Sequence, residues 1–167
     1  MSIKTPEDLF VHELEDMYDA EQQILKALPK LAQEARDDKL REAIEHHEVE
    51  THTQIQNLEK VFQSLGHQAE STTCYGIKGL IQEHEHFVAE QPAPEVLQLF
   101  NIGAASKTEQ YEICSYTDLI TEAQLLGHDD AVSLLRENLK HEQEMAKKLE
   151  EVNSRVSSDT IKQLQPA

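Results

Sequence analysis

Glutamates recur at the middle of four amphipathic stretches, on the stripe that should be apolar: Glu21, Glu50, Glu142, and the pair Glu109 and Glu112. Residues three or four apart share a helix face, so Glu109 and Glu112 point together, and His47 shares a face with Glu50. If the stretches are helices packed side by side, these carboxylates fall in one layer. Charges ~6 Å apart repel by roughly 3 kcal/mol per pair at an effective dielectric of about 20. Summed over several pairs, that rivals the ~5–15 kcal/mol stability of a whole domain, and desolvation adds to it. The layer needs protons, basic partners or metal ions. No Lys or Arg lies on the inner stripes at that height, whereas His47 does. Carboxylates plus an imidazole suit iron or manganese, and the lack of thiolates argues against a structural zinc site.

The surrounding elements read as a helical bundle. Thr5-Pro6-Glu7-Asp8 is a start signal for a first helix over about 6–35, with Thr5 as N-cap. Its stripe runs Phe10, Leu14, Met17, Ile24, Leu28, Leu31, with Glu21 the polar interruption. Pro29 is expected to kink it. Asp37 or Asp38 caps a second helix that ends at Gly66, apolar at both ends and polar at its waist, through His47, Glu50, Thr51 and Gln54. A third long helix covers about 95–126 and stops at Gly127; a fourth covers about 129–156, capped by Asp129 or Asp130. Between the second and third lies a long connection with a shorter helix from Ile77 to about Glu90. A ~28-residue helix is about 42 Å long, and this connection can cross that length. The expected fold is all-α: a ferritin-like four-helix bundle with a long crossover containing a short extra helix, over residues 1–157, with a loosely docked tail at 158–167.

Composition agrees. The chain has 167 residues, which fits one domain, and only five Gly and five Pro, too few turns for an all-β fold. The formal net charge of −17 disfavours DNA, RNA and anionic membrane surfaces as partners. No stretch is long and apolar enough to span a membrane, so a cytoplasmic protein is expected. The two cysteines, Cys74 and Cys114, form no CxxC pattern, and Cys114 reads as a small core residue. His46, His52, His84, His86, His128 and His141 read as solvated. Tyr18, Tyr111 and Tyr116 flank the glutamates and read as packing or carboxylate-orienting groups.

Asp19-Ala-Glu21-Gln-Gln, His47-Glu-Val-Glu50-Thr51-His-Thr-Gln54, Lys107-Thr-Glu109-Gln-Tyr111-Glu112-Ile, and Leu126-Gly127-His with Glu142 resemble the bacterial YciE/YciF stress-protein family over about residues 4–155. That resemblance implies a ferritin-like, rubrerythrin-related bundle, a homodimer, a carboxylate metal site and expression under stress. It implies metal ligation by Glu21, Glu50, Glu109 with Glu112, and Glu142. The chain departs from the ferritin-like E-x-x-H pattern, because Thr53 and Met145 stand where histidines would follow Glu50 and Glu142. The expected centre therefore holds iron or manganese, one or two ions per chain, on Glu21, His47, Glu50, Glu109, Glu112 and Glu142. Three functions fit: peroxide- or oxygen-linked metal oxidation, metal storage, and a non-enzymatic bundle acting through partners with an empty or vestigial site. No catalytic residue is assigned.

Overall fold

The computed structural model describes residues 3–164. It contains five helices in the order α1 (Pro6–Glu34), α2 (Asp38–Ser64), α3 (Tyr75–Ala89), α4 (Pro94–Leu126) and α5 (Asp129–Leu164). The chain is all-α among the described residues. α1 packs on α2 and α4, α5 packs on α4 and α2, and α3 lies across α1 and α4. The four long helices thus close a ring around one core, and the connection carrying α3 runs along the α1–α4 seam.

The helix starts are where local chemistry places them. Thr5 Oγ1 accepts from Asp8 N at 3.1 Å, and Asp8 Oδ2 accepts from Thr5 N at 2.9 Å, a reciprocal capping box. Asp37 Oδ1 accepts from Leu40 N at 3.0 Å and caps α2. Arg155 on α5 grips the same carboxylate with two hydrogen bonds, at 2.7 and 2.9 Å, which tie the C-terminal part of α5 to the start of α2. Gly127 ends α4 at φ +82°, a left-handed conformation that glycine adopts without a Cβ clash. The backbone N–H of His128 returns to Ala123 O at 2.9 Å and completes that stop.

Some boundaries differ from the sequence reading. α5 does not end near Ser157. Val156 and Thr160 continue the Leu149–Val152 stripe at helical spacing and are both buried, while Ser158 faces solvent, so the helix runs to Leu164. Of the expected tail, residues 165–167 lie outside the described residues. Asp129 and Asp130 are first-turn residues of α5, near the positive end of its dipole. α1 continues through Pro29, which is exposed. Leu14, Met17, Ile24, Ile44, Leu58, Ile102, Leu119, Leu135 and Leu149 build the buried core on either side of a polar waist.

Candidate metal centre

α1, α4 and α5 deliver their acidic positions inward, and α2 delivers His47. Glu21, Glu112 and Glu142 are fully buried, Glu109 is 3% exposed and His47 1%. His47, Glu109, Glu112 and Glu142 each offer one donor atom, and these four atoms lie within 4.8 Å of one another. His47 Nε2 stands 3.6 Å from Glu109 Oε1 and 3.7 Å from Glu142 Oε2. Those separations are too long for hydrogen bonds. They suit donors that share an ion, because ligands ~2.1 Å from one first-row cation stand roughly 3 Å or more apart.

The structure sorts the six sequence-derived residues into a centre and two flanks. His47, Glu109, Glu112 and Glu142 form the centre. Glu21 lies beside it, its Oε1 accepting the hydroxyl proton of the fully buried Tyr116. Glu50 is at the rim, its side chain 11% exposed, with Oε2 3.2 Å from His46 Nδ1 and 3.6 Å from His47 Nδ1. His47 thus sits between Glu50 on one side of its ring and the Glu109–Glu142 pair on the other.

The electrostatics match that division. Burial pushes Glu21 up to about 8, against the lowering effect of the Tyr116 hydrogen bond. Burial, then the charges of its carboxylate neighbours, hold Glu109, Glu112 and Glu142 well above the usual carboxylate range. Glu50 goes the other way. Burial would raise it, but interaction with His47 and the charges of His46 and Lys148 outweigh that and bring it down to about 2. Lys148 is the cation that the sequence reading did not place near the layer.

The residues fit a bound cation on a second ground. Both ring nitrogens of His47, both oxygens of Glu112, Glu109 Oε2, Glu142 Oε2 and Glu21 Oε2 are buried without a hydrogen-bond partner. Buried polar atoms in folded proteins are nearly always satisfied. Seven such atoms in one layer is the pattern of a ligand set. Glu109, Glu112 and Glu142 would repel by about 3.5 kcal/mol per pair if all were ionised at this spacing and an effective dielectric of about 20. A divalent ion, or protonation, removes that cost.

Of the supporting residues, Gln54 was placed at the waist from the sequence, whereas Asn57 and Asn138 were not singled out there. Gln54 Nε2 donates to Glu142 Oε1. Asn138 Nδ2 donates to Tyr116 Oη at 3.0 Å and to Gln54 O at 3.1 Å, and Asn57 Nδ2 donates to Asn138 Oδ1 at 2.9 Å. Asn138 is one turn before Glu142 and Asn57 one turn after Thr53, so both extend the polar waist by a turn. The signal for Asn138 was its position on the inward stripe, four residues before Glu142. The tyrosines differ in role. Tyr116 reaches the centre, Tyr18 donates to Glu59 Oε1 at 3.0 Å, and Tyr111 donates to Asp16 Oδ2 at 3.2 Å while its hydroxyl lies 3.2 Å from Cys74 Sγ. Gly76 has no side chain because a Cβ there would come within 2.5 Å of the Tyr111 ring.

Other residue expectations are corrected. Cys114 is exposed and Cys74 is the buried thiol. The stripe of α4 carries Glu112 and Tyr116 inward, which turns Cys114 outward between them. His84 is not free in solvent: its Nε2 lies 3.0 Å from Asn101 Oδ1 and 3.2 Å from Glu34 Oε2. His128 stacks on Phe10 at 5.5 Å and contacts Glu7 at 2.9 Å. His141 is half-buried, with Nδ1 enclosed.

Comparison with known proteins agrees with this architecture. The family model described as "Domain of unknown function (DUF892)" matches residues 5–161. Protein YciF of Escherichia coli (strain K12) is 40% identical over 143 residues, covering 85% of this chain and 86% of YciF. The solved structure of the E. coli stress protein YciF superposes with a TM-score of 0.88 at 37% identity, covering 93% of this chain and 99% of that one. YcfI of Rhodopseudomonas palustris, described as a candidate structural protein, gives a TM-score of 0.87 at 41% identity, covering 89% and 95%. A Xanthomonas campestris protein at 20% identity and TM-score 0.78 shares the fold. Taken with the five-helix architecture, the match over nearly the whole chain establishes that this protein belongs to the DUF892 family and is a relative of the stress protein YciF.

Proposed function

We propose that the chain is a metal-binding stress protein whose four-residue centre of His47, Glu109, Glu112 and Glu142 holds iron or manganese, one or two ions per chain. The observation that carries this reading is the convergence of four buried donor atoms within 4.8 Å, with most of their partners missing. The bundle contributes ligands, a water-poor shell and orientation. Gln54 and Tyr116 each fix one oxygen of Glu142 and Glu21. That leaves the second oxygen of each carboxylate directed by a held partner rather than by a free rotor. Bound iron would supply one-electron chemistry toward peroxide or oxygen. Glu50 at the rim, 3.2 Å from the exposed His46 and 3.6 Å from His47, is the solvent-facing edge of the cluster. A homodimer belongs to the same proposal.

Anaerobic loading with Fe(II) or Mn(II), desalting and elemental analysis test the centre. Stoichiometric retention is expected, followed by faster peroxide consumption than with free Fe(II). No retained metal under either condition would sink it. Light scattering tests the dimer; a large shell instead would favour storage.

A second reading has its own support. All four carboxyls of the buried layer are held above their usual range, so the chain can carry them protonated without an ion. A metal-free structural or partner-binding bundle would use them in that form, and YcfI is itself described as a candidate structural protein. Retained metal and metal-dependent stabilisation exclude it.

A further inference from the structure

α3 is pinned across the α1–α4 seam at both ends, and the seam between the pins is unfilled. At its start, Cys74 N donates to Asp19 Oδ2 at 2.8 Å, and Gln23 Nε2 donates to Cys74 O at 3.1 Å. Farther along, His84 contacts Asn101 on α4 and Glu34 on α1. Between these pins lies a cavity of about 370 Å³, within the ~300–1,000 Å³ range of small-molecule sites. Ile24 and Leu28 of α1, Ile77 and Ile81 of α3 and Ala105 of α4 line it. Ile44 of α2 and Met145 of α5 also reach it, and so does Glu109 of the candidate metal centre.

The position of this cavity is set by the helix register. Ile44 is three residues before His47, Met145 three after Glu142, and Ala105 four before Glu109. Each is therefore one turn from a member of the centre on the same face. The cavity is the apolar layer next to the metal layer, and Glu109 belongs to both. Its outer edge has a different character. Lys26 and Lys30 line it and are both exposed, so they stand where it meets solvent. Lys30 Nζ lies 4.0 Å from Glu34 Oε1 and the exposed Glu85 lines the same mouth, which leaves Lys26 as the cation with no ion pair among the described residues. The other ionisable residues lining it are His84, Glu85 and Glu109.

We propose that this cavity binds an aliphatic carboxylate, with its chain inward among the apolar side chains and its carboxylate at Lys26 and Lys30. An anionic head cannot sit at the inner end, where it would lose water beside Glu109. A cationic head would meet the two lysines. The inward orientation puts the distal end of the chain beside the metal centre, so the role of the ligand rests on the metal-binding reading, while its binding does not.

Calorimetric titration of the metal-free, full-length protein with decanoate, below its micelle concentration, tests this directly. Saturable binding of one decanoate per chain is expected. Decyltrimethylammonium, with the same chain and the opposite head, should bind at least tenfold more weakly. Ala27→Phe fills the cavity from its half-buried lip and should weaken decanoate binding tenfold or more. The double variant Lys26→Gln/Lys30→Gln alters only exposed side chains and should weaken it threefold to tenfold, so the proposal stays testable if Ala27→Phe fails to fold. Absence of saturable decanoate binding, equal binding of the cationic probe, or unchanged affinity in the lysine variant would overturn it. Metal retention without decanoate binding removes this inference alone; decanoate binding without metal retention removes the metal centre alone.

Discussion

Tyr116 and Glu21 are joined across the bundle by a hydrogen bond between two fully buried groups, the phenol donating to Glu21 Oε1. The same hydroxyl accepts from Asn138 Nδ2 at 3.0 Å, and Asn138 Oδ1 accepts from Asn57 Nδ2 at 2.9 Å. Three long helices besides α1 thus contribute to holding one carboxylate. Tyr116→Phe deletes the shared hydroxyl and leaves Glu21 Oε1 and one Asn138 donor with fewer partners. Unsatisfied buried groups cost about 1–3 kcal/mol. We expect a loss of that size in urea unfolding of the metal-free protein. The phenol lowers the Glu21 pKa, so the variant should also ionise Glu21 at higher pH than the parent, read by carboxyl resonances in NMR titration.

The buried carboxyls dictate how stability changes with pH. Glu21, Glu109, Glu112 and Glu142 have folded-state pKa values raised above those of the unfolded chain, Glu21 to about 8. Their contribution is fully present below about pH 4.5 and is lost as pH rises through the folded values, because the unfolded chain releases these protons first. Glu50 and Asp37 are shifted down, so their contribution is present at neutral pH and lost only toward strong acid. Metal-free protein should therefore melt roughly 5–10 °C higher at pH 5.5 than at pH 8. Metal competes with the same protons, so loaded protein should show the opposite trend over that range. Calorimetric melts of both forms check the crossing.

Substitutions at Glu112 and Glu50 separate the centre from its rim. Both oxygens of Glu112 are buried without partners, and burial and neighbouring charges disfavour its ionised form. Glu112→Gln keeps the shape and removes the charge. At pH 8 the metal-free variant should be more stable than the parent by about 1–3 kcal/mol, and nearly unchanged at pH 5.5. Its metal-dependent stabilisation should fall by tenfold or more in apparent affinity. Glu50→Gln should be destabilising instead, because it ends the favourable interaction with His46, His47 and Lys148, with a smaller loss of metal affinity. Thermal shift with Mn(II) titration measures both.

The helices and their heights were legible in the sequence because caps and stops are local. Thr5, Asp37, Gly66 and Gly127 each act within one turn, and the 3.6-residue stripe places Glu21, His47, Glu109, Glu112 and Glu142 inward without tertiary information. The demotion of Glu50 to the rim was not legible. Whether a residue at the edge of a stripe faces the centre or solvent depends on helix rotation against neighbours, which spacing does not encode. Nor was the partner network. Gln54 was placed on the inward waist, but its partner Glu142, and the role of Asn138, appear only when α2 and α5 are adjacent. The end of α5 was misplaced for the opposite reason, since the expected stop near residue 156 overlooked Val156 and Thr160, which keep the buried stripe going.

Met145 links the metal layer to the apolar cavity, and its replacement tests both at once. It is 1% exposed, three residues after Glu142, and lines the cavity that reaches Glu109. A thioether is a poor ligand for hard divalent cations, whereas imidazole suits iron and manganese. Met145→His restores the E-x-x-H spacing on α5. Without metal it places a polar ring among Leu149, Ile44 and neighbouring apolar groups, and should cost about 1–3 kcal/mol. With metal, the ring nitrogen becomes an added donor beside Glu142, and apparent affinity should rise about tenfold, or 1.4 kcal/mol. The variant should thus melt below the parent in chelator and recover most of that difference with Mn(II). Decanoate binding should weaken in the same protein, because the floor of the cavity has become polar. A variant that gains metal affinity without losing decanoate would mean that the two layers are not in contact.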